Sequence, residues 1–240
     1  MTYSLLARCA RTGRFGLGMA SASIAIGLHC DGAVRPNVGV TMTQGNPDPR
    51  NNRLAMNLLA HGHAPAHALR EIAACDAHHD WRQVGIVDRE GTVAVHSGAA
   101  LRGWAGHRIG AGYVAMGNGL AGEPVLDALA GAFEASPQAD LHERLLLALE
   151  AARDAGGLAG KGGPLQERSA VAVVWGHRDY SDYDLRVDMH PGAIAELRRI
   201  HVDYMPSAAY YEERARSPRN AIPAMEFADM LKTRQAKEAP

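Results

Sequence analysis

The sequence predicts an α+β chain, a four-layer αββα sandwich with two sheets inside and helix pairs outside. Strand-like segments come in hairpins, helical periodicity comes in pairs of segments, and the composition is poor in aromatics (5%) against 26 glycines, which suits closely stacked layers. A doubly wound parallel sheet would need a helix between successive strands. No strand leads into a GxGxxG turn, and residues 156–163 lack GxxxxGK[ST], because Gly162 follows Lys161.

In order, residues 3–9 and 14–20 read as a hairpin turning at Arg11-Thr12-Gly13. Gly16 and Gly18 in its second strand mark a place where another group comes close. An apolar segment follows at 24–28, then a Gly/Pro-rich loop and a strand at 38–43, ended by Gln44-Gly45-Asn46-Pro47-Asp48-Pro49. Helical spacing appears at 53–59 (Leu54, Leu58, Leu59) and 65–74 (Ala66, Leu69, Ile72). Residues 82–88 and 92–96 form a hairpin around Arg89-Glu90-Gly91, and 110–116 adds a strand. The second helix pair is 123–135 (Val125, Leu126, Leu129, Phe133) and 141–155 (Leu145, Leu146, Leu149), stopped by Gly156-Gly157. The unalternated apolar run 169–175 reads as a strand buried on both faces, followed by a strand at 185–188 and a helix at 193–200.

One domain over residues 1–200 and a C-terminal arm over 201–240 are expected, the arm with Tyr204, Tyr210, Tyr211 and a short helix at 223–232. Its apolar side chains predict a homodimer in which it crosses to the partner, with packing on its own domain as the alternative. A net charge of −1 points away from nucleic acid and anionic membranes. With no stretch of about 20 apolar residues and no signal-peptide pattern, a cytoplasmic protein is expected.

The three cysteines, Cys9, Cys30 and Cys75, are widely spaced and read as reduced thiols in or near the core. Twelve histidines invite a metal reading, yet His61-Gly62-His63, His67, His78 and His79 have no carboxylate at HExxH-like spacing. They read as solvated residues at helix ends, and neither a metal nor a cofactor is expected.

The chemistry-bearing candidate is Thr2. Trimming of Met1 would give one residue a hydroxyl and a free α-amine, and an α-amine titrating at about 7.7–8.0 is partly neutral at cell pH and can take the hydroxyl proton. Asn118, between Gly117 and Gly119, is placed as an oxyanion donor. Ser21 and Ser23 fall where the second strand runs beside the first, and Thr43 and Gln44 end a strand at a chain reversal, where side chains line clefts. His107 sits on a Gly-rich loop after Trp104, while Arg35 and Lys161 are loop cations able to lower an amine pKa or hold a substrate carboxylate.

Several phrases carry a family resemblance: Tyr3-Ser4-Leu5-Leu6-Ala7-Arg8, Thr43-Gln44, Gln83-Val84-Gly85-Ile86-Val87-Asp88, Trp104-Ala105-Gly106-His107, Gly117-Asn118-Gly119-Leu120-Ala121-Gly122 and Asp184-Leu185-Arg186-Val187-Asp188. In this order and spacing, over residues 2 to about 200, the chain resembles the DUF1028 family. The resemblance implies an N-terminal-nucleophile (Ntn) hydrolase-like αββα fold, of a kind that mostly hydrolyses amide bonds, without implying a substrate. A small-molecule amidohydrolase is the leading expectation. A non-catalytic binding protein with an Ntn-type pocket and a structural subunit are the alternatives.

Overall fold

The structure, a computed structural model, describes residues 1–238. It forms two compact units, Met1–Leu197 and a second beginning at Arg198. The first opens with β1 (Thr2–Arg8) and β2 (Phe15–Ser21), then a one-turn helix α1 (Ile26–His29), β3 (Ala33–Arg35) and β4 (Gly39–Gly45). Helices α2 (Pro49–Ala60) and α3 (Pro65–Cys75) precede β5 (Arg82–Asp88), β6 (Val93–Ser97), β7 (Trp104–Gly110) and β8 (Tyr113–Leu120). Helices α4 (Glu123–Ala135) and α5 (Leu141–Asp154) lead to β9 (Leu158–Gly160), β10 (Gly163–Leu165), β11 (Ser169–Trp175), β12 (Tyr183–Val187) and the start of α6 (Ala193–Arg216).

The strands make an eight-stranded sheet, in the order β10-β9-β8-β1-β2-β11-β12 with β7 also on β8, and a four-stranded meander β3-β4-β5-β6. Every pairing between these strands is antiparallel. Period-2 alternation assigns the faces. On β1, Leu6 joins a cluster that draws Leu17, Met116 and Val173 from the larger sheet and Val40, Met42 and Val87 from the smaller one, so this face lies between the sheets. On β5, Val84 and Ile86 point the other way, onto Ala55, Leu59, Ala68 and Ile72 of α2 and α3.

Against the larger sheet lies α5, and the glycines of β2 explain the fit. A side chain on Gly16 would stand 3.0 Å from Leu141 Cδ2 and Leu145 Cδ1, and one on Gly18 3.4 Å from Leu145 Cβ. The close approach foreseen at these glycines is therefore a helix. It seals Leu145, Leu146 and Leu149 completely, each burial favouring the fold by roughly 1.5–3 kcal/mol.

Most expected elements form, and the differences have local causes. Helix α2 starts four residues before the expected 53, because the Asp48 side chain accepts from the Arg50 N–H and Pro49 fills the first helical turn. The expected loop around Trp104 is β7, whose glycine at 106 leaves room for the Trp104 ring, with a register shift between Trp104 and Ala105. The helix expected to end at 200 runs to Arg216 with Pro206 inside it. Cys9 and Cys30 are buried, whereas Cys75, expected near the core, is exposed at the end of α3. In the second unit, Tyr210 stacks on Phe227 of α7 (Ala224–Glu238) at 3.8 Å and its hydroxyl donates to the Ile222 carbonyl. Among the described residues no helix is long and apolar enough to cross a membrane.

Candidate active site

Register brings the site together. Thr2 lies opposite Asn118 on one side and Ser21 on the other, and Ser21 lies opposite Ser169. Directly opposed residues share a face, so four polar residues from β8, β1, β2 and β11 form one row on the face between the sheets.

Within the row the protons can be assigned from chemistry. Ser21 Oγ is 2.9 Å from the Met1 carbonyl oxygen, which only accepts, so the single Ser21 proton goes there. The 3.0 Å contact between Thr2 Oγ1 and Ser21 Oγ is then donated by Thr2, and the Ser23 N–H adds a second donor to Ser21 Oγ at 3.1 Å. A second donor to the Met1 carbonyl is the Ala22 N–H at 3.2 Å. Ser169 Oγ donates to the Ser23 carbonyl at 2.7 Å and accepts the Ile26 N–H at 3.1 Å, which ties down the chain leaving β2.

A second polar row faces it from the smaller sheet: Gln44 on β4, Gln83 on β5 and Ser97 on β6, again mutual register partners. Ser4 Oγ donates to Gln44 Oε1 at 2.5 Å, and Gln44 Nε2 to Gln83 Oε1 at 2.7 Å. Asn118 Nδ2 donates to the same Gln83 oxygen at 3.2 Å, joining the two rows. Gln83 Nε2 is shared among Ser97 Oγ and the carbonyls of Gly106 and Gly117 at 2.8–3.0 Å. Ser97 Oγ in turn contacts His107 Nδ1 at 3.0 Å.

Thr2 is 4% exposed and Met1 42%, so the first residue lies over the second. The Met1 side chain packs on Gly119, whose φ of +63° suits glycine and where a side chain would collide with Met1. Burial pulls the Met1 amine below its ordinary pKa, with Cys30 acting in the opposite sense. The Cys30 thiol, a C-cap on α1, is pushed up to about 12 by burial and stays neutral. Among the described residues no group of His, Cys, Asp and Glu is arranged to hold a metal ion.

Of the residues named from sequence, Thr2, Ser21, Asn118 and Gln44 meet here, and His107 connects through Ser97 and Gln83. His107 is on a strand instead of a loop. Thr43 is not with them, since the adjacent strand residue faces the other way and its hydroxyl donates to Asn52 of α2 at 2.9 Å. Ser23 is exposed and contributes its backbone. Arg35 is exposed opposite Gly39, at the far end of β4 from Gln44, and Lys161 is exposed in the turn between β9 and β10. Ser4, Gln83, Ser97 and Ser169 escaped the sequence reading. Ser4 could have been found two residues after Thr2 by period-2 alternation, and Gln83 as the polar start of an apolar strand.

The family model described as "Family of unknown function (DUF1028)" matches residues 2–197. No curated protein matches the chain. Protein SPO2555 from Silicibacter pomeroyi, a solved structure that carries the same family model, is 29% identical, with 85% of this chain and 88% of that one covered and a TM-score of 0.75. Anbu (ancestral beta-subunit) from Yersinia bercovieri is similar at 10% identity, 85% and 95% coverage and a TM-score of 0.41. The Anbu (Gly-1) mutant from Hyphomicrobium sp. strain MC1 is similar at 11%, 87% and 96%, and 0.42. With its fold shared with SPO2555 and nearly all of its first compact unit matched, this chain belongs to the DUF1028 family.

Proposed function

We propose that the chain is an Ntn-type amidohydrolase acting on a small carboxamide or carbamoyl compound, with Thr2 as nucleophile once Met1 is removed. The layer order supports the architecture: α5 on the outer side of the larger sheet, the smaller sheet across the apolar gap, and α2 and α3 beyond it. The observation that carries the reading is the cradle around the Met1 carbonyl. The Met1 carbonyl, an acyl group on the Thr2 nitrogen, has its oxygen held by two donors, Ser21 Oγ and the Ala22 N–H, and the Thr2 hydroxyl lies 3.0 Å from Ser21, so the same donors are in reach of an acyl group on that hydroxyl.

In the trimmed chain, the Thr2 amine takes the proton from Oγ1 as that oxygen attacks the amide carbon of the substrate. The carbonyl oxygen becomes an oxyanion, received by the Ser21 hydroxyl and the Ala22 N–H, each worth roughly 3–4 kcal/mol to the transition state. Collapse breaks the C–N bond, the Thr2 ammonium returns its proton to the departing nitrogen, and water hydrolyses the ester. Asn118 has a second Nδ2 proton beyond the one given to Gln83, available to the substrate.

The test is intact mass together with hydrolysis of a panel of small acyl and carbamoyl amides, followed as ammonia release. Activity should accompany loss of Met1, vanish in Thr2→Ala and persist in Thr2→Ser. Turnover by a preparation that retains Met1 quantitatively would overturn the free-amine mechanism. The Met1 side chain seated on Gly119 favours a second reading, a small-ligand-binding protein whose Thr2 stays capped, and uniform retention of Met1 in an inactive protein would support it.

A further inference from the structure

A cavity of about 530 Å³ opens where α3 faces β6 and β7, within the roughly 300–1,000 Å³ range of small-molecule sites. Leu69, Val95 and Ile109 give it aliphatic walls, and its titratable lining is Arg70 with the imidazoles of His79, His96 and His107, without a carboxylate. Among the described residues, Arg70 has no acidic partner, only the His67 ring at 3.3 Å. His79, expected from sequence to be solvated at a helix end, instead stacks on His96 at 3.7 Å, and its Nδ1 is buried with no hydrogen-bond partner.

The ring protons can be placed. His96 Nε2 must donate to the His79 carbonyl, 3.2 Å away. Ser97 Oγ accepts from Gln83 Nε2, and among the described residues His107 Nδ1 is the one acceptor in reach of its own proton, which places the His107 proton on Nε2. The cavity therefore offers a guanidinium and an imidazole N–H against an apolar wall. An acid-free lining with these donors fits an acceptor-only anion. Burial first, then His96, holds the His79 pKa below its ordinary value, with Arg82 in the same sense and Asp76 and Asp80 opposed. Burial, then Arg108 and His96, does the same to His107. An anion in the cavity would reverse that balance and take up protons.

We propose that this cavity binds a small aliphatic monocarboxylate, its oxygens held by Arg70 and the His107 imidazole N–H and its chain lying on Leu69, Val95 and Ile109. Binding here does not depend on the chemistry of Thr2, although His107 is linked to that row through Ser97 and Gln83. The test uses the full chain labelled with 15N-histidine and titrated with 4-methylpentanoate, read by imidazole nitrogen shifts and by calorimetry. The His79 and His107 signals should move saturably toward the protonated form, and affinity should rise as pH falls from 8 to 6. Acetate, inorganic phosphate and 4-methylpentanamide should each bind at least about tenfold more weakly, since each lacks either the chain or the charge. Arg70→Gln, at an exposed helical position that leaves the fold intact, and His79→Gln should each weaken binding about tenfold. Absence of a saturable shift, equal binding of the amide or of phosphate, or unchanged affinity in Arg70→Gln would overturn the proposal.

Discussion

Around Thr2, Ser21 Oγ accepts from two donors and gives its one proton to the Met1 carbonyl, while the ring of His79 keeps a buried nitrogen with no partner. Both regions contain polar groups held out of water by strands, yet one is closed on itself and the other is open. A saturated network holds each atom in one place and suits positioning. An unsaturated one keeps hydrogen-bonding capacity in reserve and suits recognition. Gln83 joins the two, because its side chain bonds Gln44 and Asn118 on one side and Ser97, the neighbour of His107, on the other.

The largest effect should follow from breaking that joint. Gln83→Leu leaves Gln44 Nε2, Asn118 Nδ2 and the Gly106 and Gly117 carbonyls without their partner. At roughly 1–3 kcal/mol for each buried unsatisfied group, offset by relaxation, a loss of at least about 3 kcal/mol is expected. For a domain of this size that is a fall in melting temperature of roughly 6–12 °C by calorimetry. A change below about 1 kcal/mol would mean that the two rows are not coupled through Gln83.

Next in size is Gly119→Ala. The left-handed backbone alone costs an L-residue about 1–2 kcal/mol, and the new methyl also meets the Met1 side chain. Denaturant unfolding of this variant with and without Met1 should separate the two effects. The chain bearing Met1 should lose more, and equal losses would mean that Met1 does not press on this position in solution.

How much of this was legible before the structure depends on the kind of signal. Sequence singles out Thr2 by its place after Met1, Ser21 by the second strand running beside the first and Asn118 by its flanking glycines, but that they are register partners follows from the pairing of β1 with β2 and β8, which distant parts of the chain decide. Gln83 was hidden for the same reason: its strand reads as an apolar run, and only the facing Gln44 and Asn118 give its amide a purpose. The stretch after Trp104 reads as a loop because Gly106 lowers strand propensity, while the structure fills that space with the ring of Trp104. Arg35 and Lys161 drew notice as cations in loops, a signal that carries no information about distance from Thr2.

The open region should reveal itself in the pH dependence of stability. Burial depresses the folded-state pKa of His79 and of His107, so the unfolded chain binds more protons below an unfolded value of about 6.5. The stability these neutral rings confer is present above that pH and lost as the pH falls through the folded values. Urea unfolding between pH 8 and 5 should therefore show decreasing stability, and His79→Gln should flatten the slope. A slope unchanged in that variant would assign the effect to other groups.

The smallest effects should come from the two cations that the structure sets apart from both regions. Lys161 lies in the turn of the β9–β10 hairpin and Arg35 at the end of β3, both exposed. Surface substitutions away from caps, glycines and buried pairs usually stay within about 0.5 kcal/mol, so Lys161→Ala and Arg35→Ala should melt within about 2 °C of the parent. The same two variants sharpen the functional comparison. If either cation held a substrate carboxylate near Thr2, its loss would raise KM and leave kcat nearly unchanged, the pattern of a contact made equally in the ground and transition states. The proposed mechanism predicts unchanged KM and kcat in both, with Ser21→Ala in the same assay lowering kcat by roughly 100-fold or more through loss of the proposed oxyanion donor. A raised KM in Lys161→Ala would mean that the β9–β10 hairpin folds over the Thr2 row during turnover, and would return that lysine to the site.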